Sequence, residues 1–232
     1  MTFADKVIQF NKNLRFTGKL PGNVRVMNPF TENQIVPAVS SRFYRKYYDD
    51  NRQRKLRMGI NPGRFGAGVT GIPFTDTKRL EEKCNLKFPD ITTHEPSSVF
   101  VYEVVDAYGG PEKFYGDFYI SALSPLGYVI KNRMGKEVNY NFYDSREMIE
   151  ATKHFIVQSL TEQISFGVNT EICYCLGTGK NFKFFEKLNN ELLLFDRIIP
   201  LEHPRYVMQY KSKSKKEYIN KYIQVLSVGL GK

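Results

Sequence analysis

Two polar residues sit where the chain is least regular, each just behind an apolar, strand-like run. Asn61 lies in GINPGRFGAGVTGIPFTD (59–76), which follows the strand-like KLRMGI at 55–60. His203 lies in LEHPRY (201–206), which follows LLFDRIIP. An amide cannot titrate, so Asn61 can position a group by hydrogen bonds but cannot act as a strong base. A histidine can donate a hydrogen bond or move a proton near neutral pH. Phe74 adds a ring that could stack on a planar ligand. Five glycines between 59 and 71 let the backbone itself approach that ligand closely.

Familiar nucleotide chemistry does not fit these residues. Gly66, Gly68 and Gly71 spell G-x-G-x-x-G, but a dinucleotide fingerprint opens a helix directly behind its strand. Pro73 follows too soon to allow more than a first helical turn. Gly179-Lys180-Asn181 lacks the Ser/Thr and the upstream glycine of a phosphate-binding P-loop. Cys84, Cys173 and Cys175 with His94, His154 and His203 complete no zinc or iron–sulfur set, and the Cys173/Cys175 pair reads as buried thiols in the apolar strand EICYCL. Neither a metal nor a cofactor is expected.

The 232-residue chain carries 34 Lys+Arg against 24 Asp+Glu, a formal charge of +10. A basic balance of that size points to a polyanion, nucleic acid first. KSKSKK at 211–216 concentrates the charge late in the chain; its competing reading is a solvated helix start. No apolar run reaches the roughly 18 residues of a membrane span, and MTFADKVIQFNKNLRF lacks the form of a secretory signal. The expectation is a cytoplasmic protein (nucleoid-associated in a bacterium), monomeric, with no membrane contact.

The elements that must hold these residues read as alternating strands and helices. Thr2 and Asp5 form a capping-box pattern for a first helix over 2–16, and residues 17–38 read as loop. Helices are expected over 40–50, after Asp76, over 97–108, after Ser145, over KNFKFFEKLNN and over KEYINKYIQVL. Strands are expected at 55–60, at FYISALS (118–124), at EICYCL and at LLFDRIIP, with KEVNYNFY as a further edge strand. This pattern argues for one α/β domain over 1–232 with a mainly parallel sheet. Ligands of such sheets bind at the carboxyl ends of the strands, so GINPGRFG, SALSPLG and IPLEHPRY should converge.

GINPGRFGAGVTGIPF resembles the first motif of the single-strand-selective monofunctional uracil-DNA glycosylases, G-M-N-P-G-P-F-G-x-x-x-T-G-V-P-F. NPFTENQIVPAVSSRFYRKYY resembles the segment upstream of it, SALSPLGY falls where that family has H-N-L-C-P-L, and EHPRY falls where it has an H-P-S-P-R-type motif. The similarity spans residues 28–226. It implies a three-layer α/β/α sandwich around a mainly parallel four-stranded sheet, as in the uracil-DNA glycosylase superfamily. The implied activity is hydrolysis of the N-glycosidic bond of a deaminated base, flipped out of DNA, leaving an abasic site.

The resemblance also assigns roles. Asn61 would hold the attacking water, and His203 would donate a hydrogen bond to the departing base. Gly59, Ile60, Pro62, Gly63, Phe65, Phe74, Ser121, Ala122 and Ser124 would surround that base. Gly63 stands where related families place a bulky tyrosine, which leaves room for larger bases. Ala122 stands where the family has its base-reading asparagine, which puts strict uracil preference in doubt and admits hypoxanthine or xanthine. Arg205, Tyr206, Met208, Gln209 and Tyr210 fall on the DNA-wedging segment, with Lys211, Lys213, Lys215 and Lys216 on the phosphates. Asp76 reads as a helix cap before it reads as a base. The competing class is a non-catalytic DNA-binding module on the same fold; an intact first motif with Asn61 favours the enzyme.

Overall fold

The computed structural model describes residues 1–227. Helix α1 (Phe3–Asn13) leads to strand β1 (Arg25–Met27), the short α2 (Pro29–Glu32) and α3 (Val36–Tyr48). Strand β2 (Lys55–Gly59) precedes α4 (Ala67–Thr70), α5 (Thr77–Cys84), α6 (Pro96–Tyr108) and α7 (Pro111–Asp117). Strands β3 (Phe118–Ala122), β4 (Gly127–Lys131) and β5 (Glu137–Tyr140) come before the long α8 (Arg146–Ile164). The chain closes with β6 (Asn169–Leu176), α9 (Lys180–Leu192), β7 (Arg197–Leu201), α10 (Pro204–Tyr210), a 3₁₀ turn (Ser212–Ser214) and α11 (Lys215–Ser227).

The central sheet has the order β3-β2-β6-β7, and every neighbouring pair is parallel. All four carboxyl ends therefore lie on one edge. Alternation along the strands fills a layer of helices on each side. Tyr119 turns to one face, with its ring 5.2 Å from Phe3 of α1 and its hydroxyl 3.3 Å from Gln163 of α8. Phe118 turns to the other, 5.3 Å from Tyr108 of α6 and 5.2 Å from Phe114 of α7. The fold is the α/β/α sandwich that the sequence implies. Arg57 is fully buried on the second face, where its guanidinium lies 4.9 Å from the ring of Phe114 and 5.6 Å from that of Tyr222. These rings offset part of the cost of burying the charge.

Local signals set the helix starts. The Asp5 amide donates to the Thr2 hydroxyl at 3.3 Å, and the Thr2 amide donates back to the Asp5 carboxylate at 3.0 Å. Ser145 accepts from the Met148 amide at 3.2 Å, and Asp76 from the Arg79 amide at 2.8 Å. Each such cap contributes about 0.5–2 kcal/mol.

Two readings of the chain need correction. Residues 17–38 are not simply loop: they hold β1, α2 and the start of α3, because Asn28 caps α2 and proline occupies the first turn of both helices. KEVNYNFY is an edge strand, as expected, but not of the parallel sheet. It is β5 of a separate antiparallel sheet, ordered β1-β4-β5. That second sheet proves central to the site.

Candidate active site

At the carboxyl edge of the parallel sheet, the loops after β2, β3 and β7 enclose a cavity of about 500 Å³. Asn61, Phe74, Ser121, Ala122 and His203 all line it. The three irregular stretches do converge there.

Asn61 is held by the second sheet. Its Nδ2 donates to the carbonyl of Tyr140 at 3.2 Å and, less directly, to that of Pro62 at 3.4 Å. Its Oδ1 accepts the Phe142 amide at 3.3 Å. An amide oxygen has two lone pairs, so this bond leaves Oδ1 with capacity for a second donor. The Arg64 amide donates to Asn139 Oδ1 at 3.0 Å, a further tie between this loop and β5.

Phe74 is a non-glycine residue in the left-handed region, with φ 53°. Such a conformation costs on the order of 1–3 kcal/mol and persists only where the surroundings impose it. Thr70 supplies part of the constraint: its hydroxyl donates to the carbonyl of Thr75 at 2.6 Å. The Thr75 hydroxyl in turn lies 3.1 Å from that of Tyr102. So held, the Phe74 ring presses onto the end of β2. A Cβ at Gly59 would meet it at 2.8 Å.

His203 caps α10: the Arg205 amide donates to its Nδ1 at 3.2 Å. That bond fixes Nδ1 as the acceptor and leaves the proton on Nε2 in the neutral ring. Burial, helped by the Arg205 charge, pushes the imidazole down to about 4. At neutral pH the group facing the cavity is an uncharged N–H donor. Its ring centroid is 5.7 Å from that of Phe74.

Glu95 occupies the space that the glycines leave. Its carboxylate lies 3.0 Å from the Cβ position of Gly63 and 1.7 Å from that of Gly66. The room expected at Gly63 is therefore already filled, by a carboxyl whose pKa burial raises. Among the described residues only Ser97 donates a side-chain hydrogen bond to it, at 3.4 Å. Asp76 caps α5 and ties it to neighbouring chain: fully buried, it accepts from the Arg79 amide and guanidinium and, at 2.6 Å, from the Glu95 amide.

The other expected residues divide by place. Gly59, Ile60, Pro62 and Gly63 line the cavity, as do Arg205, Tyr206, Gln209 and Tyr210 on the α10 side. Phe65 and Met208 do not; they line an adjoining groove that shares Glu95, Asn139 and Arg205 with the cavity. In it the Arg64 guanidinium lies 4.8 Å from the half-exposed Phe65 ring. Ser124 is buried behind the wall, where its hydroxyl donates to the Leu126 carbonyl at 3.0 Å and lies 2.8 Å from that of Tyr128. Lys211, Lys213 and Lys216 are exposed beyond α10. Lys215 is not free as expected: its Nζ is 2.6 Å from Glu103 of α6. Sequence reading missed Asn11, Glu95 and Asn139 in the walls. Only Asn139 left a signal, as a polar residue inside an alternating strand.

No group of three or more His, Cys, Asp or Glu among the described residues is placed to hold a metal ion. No lysine among the described residues lines the cavity, so no amine is at hand there to form a Schiff base.

The profile of the uracil DNA glycosylase superfamily matches residues 45–227. The chain belongs to that superfamily. A solved structure of wild-type Pedobacter heparinus SMUG2 is 53% identical to it, covers 97% of both chains and superposes with a TM-score of 0.95. No curated protein matches. Superfamily membership and this likeness support a uracil-DNA glycosylase, a hydrolase of DNA repair with DNA as its substrate.

Proposed function

We propose that the protein excises deaminated bases, uracil together with hypoxanthine or xanthine, by hydrolysing their N-glycosidic bond to leave an abasic site. The supporting observation is the meeting of Asn61, Phe74 and His203 in one cavity at the carboxyl edge of the sheet. In this reading the flipped base stacks on Phe74. The C1′–N bond breaks, and its electron pair leaves with the base. His203 donates from Nε2 to the carbonyl oxygen on which that charge gathers. A neutral donor suits this task, since it stabilises the oxyanion without needing to be protonated first.

Asn61 orients the water that adds to C1′, and the water's proton passes to solvent. Lacking a basic group, Asn61 cannot generate hydroxide, so departure of the base must lead the reaction. With no lysine among the described residues in the cavity wall, hydrolysis is expected to stop at the abasic site. Arg205, Tyr206, Gln209 and Tyr210 form the rim that would fill the gap in the stack, and Lys211, Lys213 and Lys216 would meet phosphates. The test is an excision assay on oligonucleotides carrying uracil, hypoxanthine, xanthine or no lesion. Cleavage of the lesions and not of the normal strand is expected. Binding of all four without cleavage would favour the non-catalytic module.

A further inference from the structure

Phe65 is 52% exposed and stands outside the cavity, in the groove beside it. Groove and cavity share Glu95, Ser97, Asn139, Arg205 and Gln209, so the two adjoin along a common wall. Two guanidinium groups line the groove, Arg64 from the loop after β2 and Arg205 from the first turn of α10. Among the described residues neither is in an ion pair. Glu137, whose carboxylate feels the Arg64 charge, is bound by Arg25 at 3.1 Å. The Arg205 charge acts on Glu95 and His203 without an ion pair to either. On the shared wall Asn139 accepts the Arg64 amide through Oδ1 at 3.0 Å, and no hydrogen bond among the described residues engages its Nδ2.

The groove thus offers an apolar ring in water, cations beside it and a free donor on the wall towards the cavity. A nucleotide matches all three. Any base can stack on an aromatic ring, and a phosphate suits guanidinium and amide donors. The one carboxylate among the described residues of the groove is Glu95, and its burial favours the neutral acid, so it opposes a phosphate less than an exposed carboxylate would. Resting on the reading that a flipped base occupies the cavity, we propose that the groove is a subsite for one of the two nucleotides flanking that base in the same strand. The flanking base stacks on Phe65, and the phosphate joining it to the lesion is met by Asn139 Nδ2 and Arg205. Phe65, expected beside the damaged base, is thereby assigned to its neighbour.

The test measures kcat/KM for uracil excision from single-stranded oligonucleotides, in which the neighbour is free to reach Phe65. The residue on one side of the uracil, then on the other, is either adenine or a three-carbon spacer that keeps the phosphate and lacks the base. For each side the adenine-to-spacer ratio is compared between wild type, Phe65→Ala and Phe65→Tyr. On one side the ratio should fall at least about fivefold in Phe65→Ala and stay at the wild-type value in Phe65→Tyr, which keeps a stacking ring. On the other side all three ratios should agree. Should Phe65→Ala fail to fold, Phe65→Leu carries the same comparison. Ratios that agree on both sides, with excision slowed equally on every substrate or not at all, overturn the proposal and leave the glycosylase reading standing. Failure of the wild type to excise uracil from any of these substrates overturns both.

Discussion

The Phe74 ring and the Cα of Gly59 are in such close contact that a Cβ on residue 59 would lie 2.8 Å from Phe74 Cε2 and 2.9 Å from Cζ. The backbone of Phe74, at φ 53°, has little freedom to retreat. Gly59→Ala should therefore displace the ring at a cost of about 1–3 kcal/mol and raise KM for damaged oligonucleotides. Phe74→Ala should raise KM by itself, and the double variant should be no worse than Phe74→Ala alone. Strictly additive losses would show that the contact has no part in binding.

The environment of His203 sets a pH expectation. With its pKa pushed down to about 4, the folded ring is neutral above that value, whereas an unfolded histidine takes a proton near 6.5. The unfolded state thus binds more protons between these values. The stability contribution of the neutral ring is fully present above about pH 6.5 and is lost as pH falls towards 4. Excision should show no limb near pH 6.5 that depends on His203. Such a limb in the wild-type profile, absent from His203→Ala, would contradict the neutral donor.

Gly66 and Glu95 form a second steric pair, with Glu95 Oε2 only 1.7 Å from where a Cβ on residue 66 would lie. Gly66→Ala is expected to push the Glu95 carboxylate aside, and because that group is the far end of a flexible side chain the loss in urea unfolding should stay below about 1 kcal/mol. In a Glu95→Ala background the same substitution should cost less. An equal loss in both backgrounds would place the strain elsewhere in the loop.

The lysines after α10 should not behave alike. Replacing Lys211, Lys213 and Lys216 by Ala should flatten the log K versus log salt slope for duplex binding, by up to about 0.9 per lost phosphate contact. Lys215→Ala should leave the slope unchanged, since Lys215 pairs with Glu103. A slope change confined to Lys215→Ala would reverse this assignment.

Strands and capped helices were legible wherever one local rule acted alone. The runs at 55–60 and EICYCL and the caps at Thr2, Asp76 and Ser145 are of this kind. The separate antiparallel sheet was not, because KEVNYNFY alternates whichever strand it pairs with. Half of the site shares that limit. Asn61 and His203 stand out by residue type and by the loops that carry them. Asn11 and Glu95 reach the cavity from helix ends remote in sequence, and their neighbours there are fixed by packing alone. The glycine at 63 reads in sequence as open space, and only tertiary contact puts Glu95 into it.

The most direct measurement is single-turnover excision from a uracil-containing oligonucleotide by wild type, Asn61→Ala and His203→Ala, with far-UV circular dichroism to confirm folding. Wild type should release uracil, and each variant should be slower by at least about 10² while staying folded. Folded variants that release uracil at the wild-type rate would contradict the placement of the chemistry between Asn61 and His203.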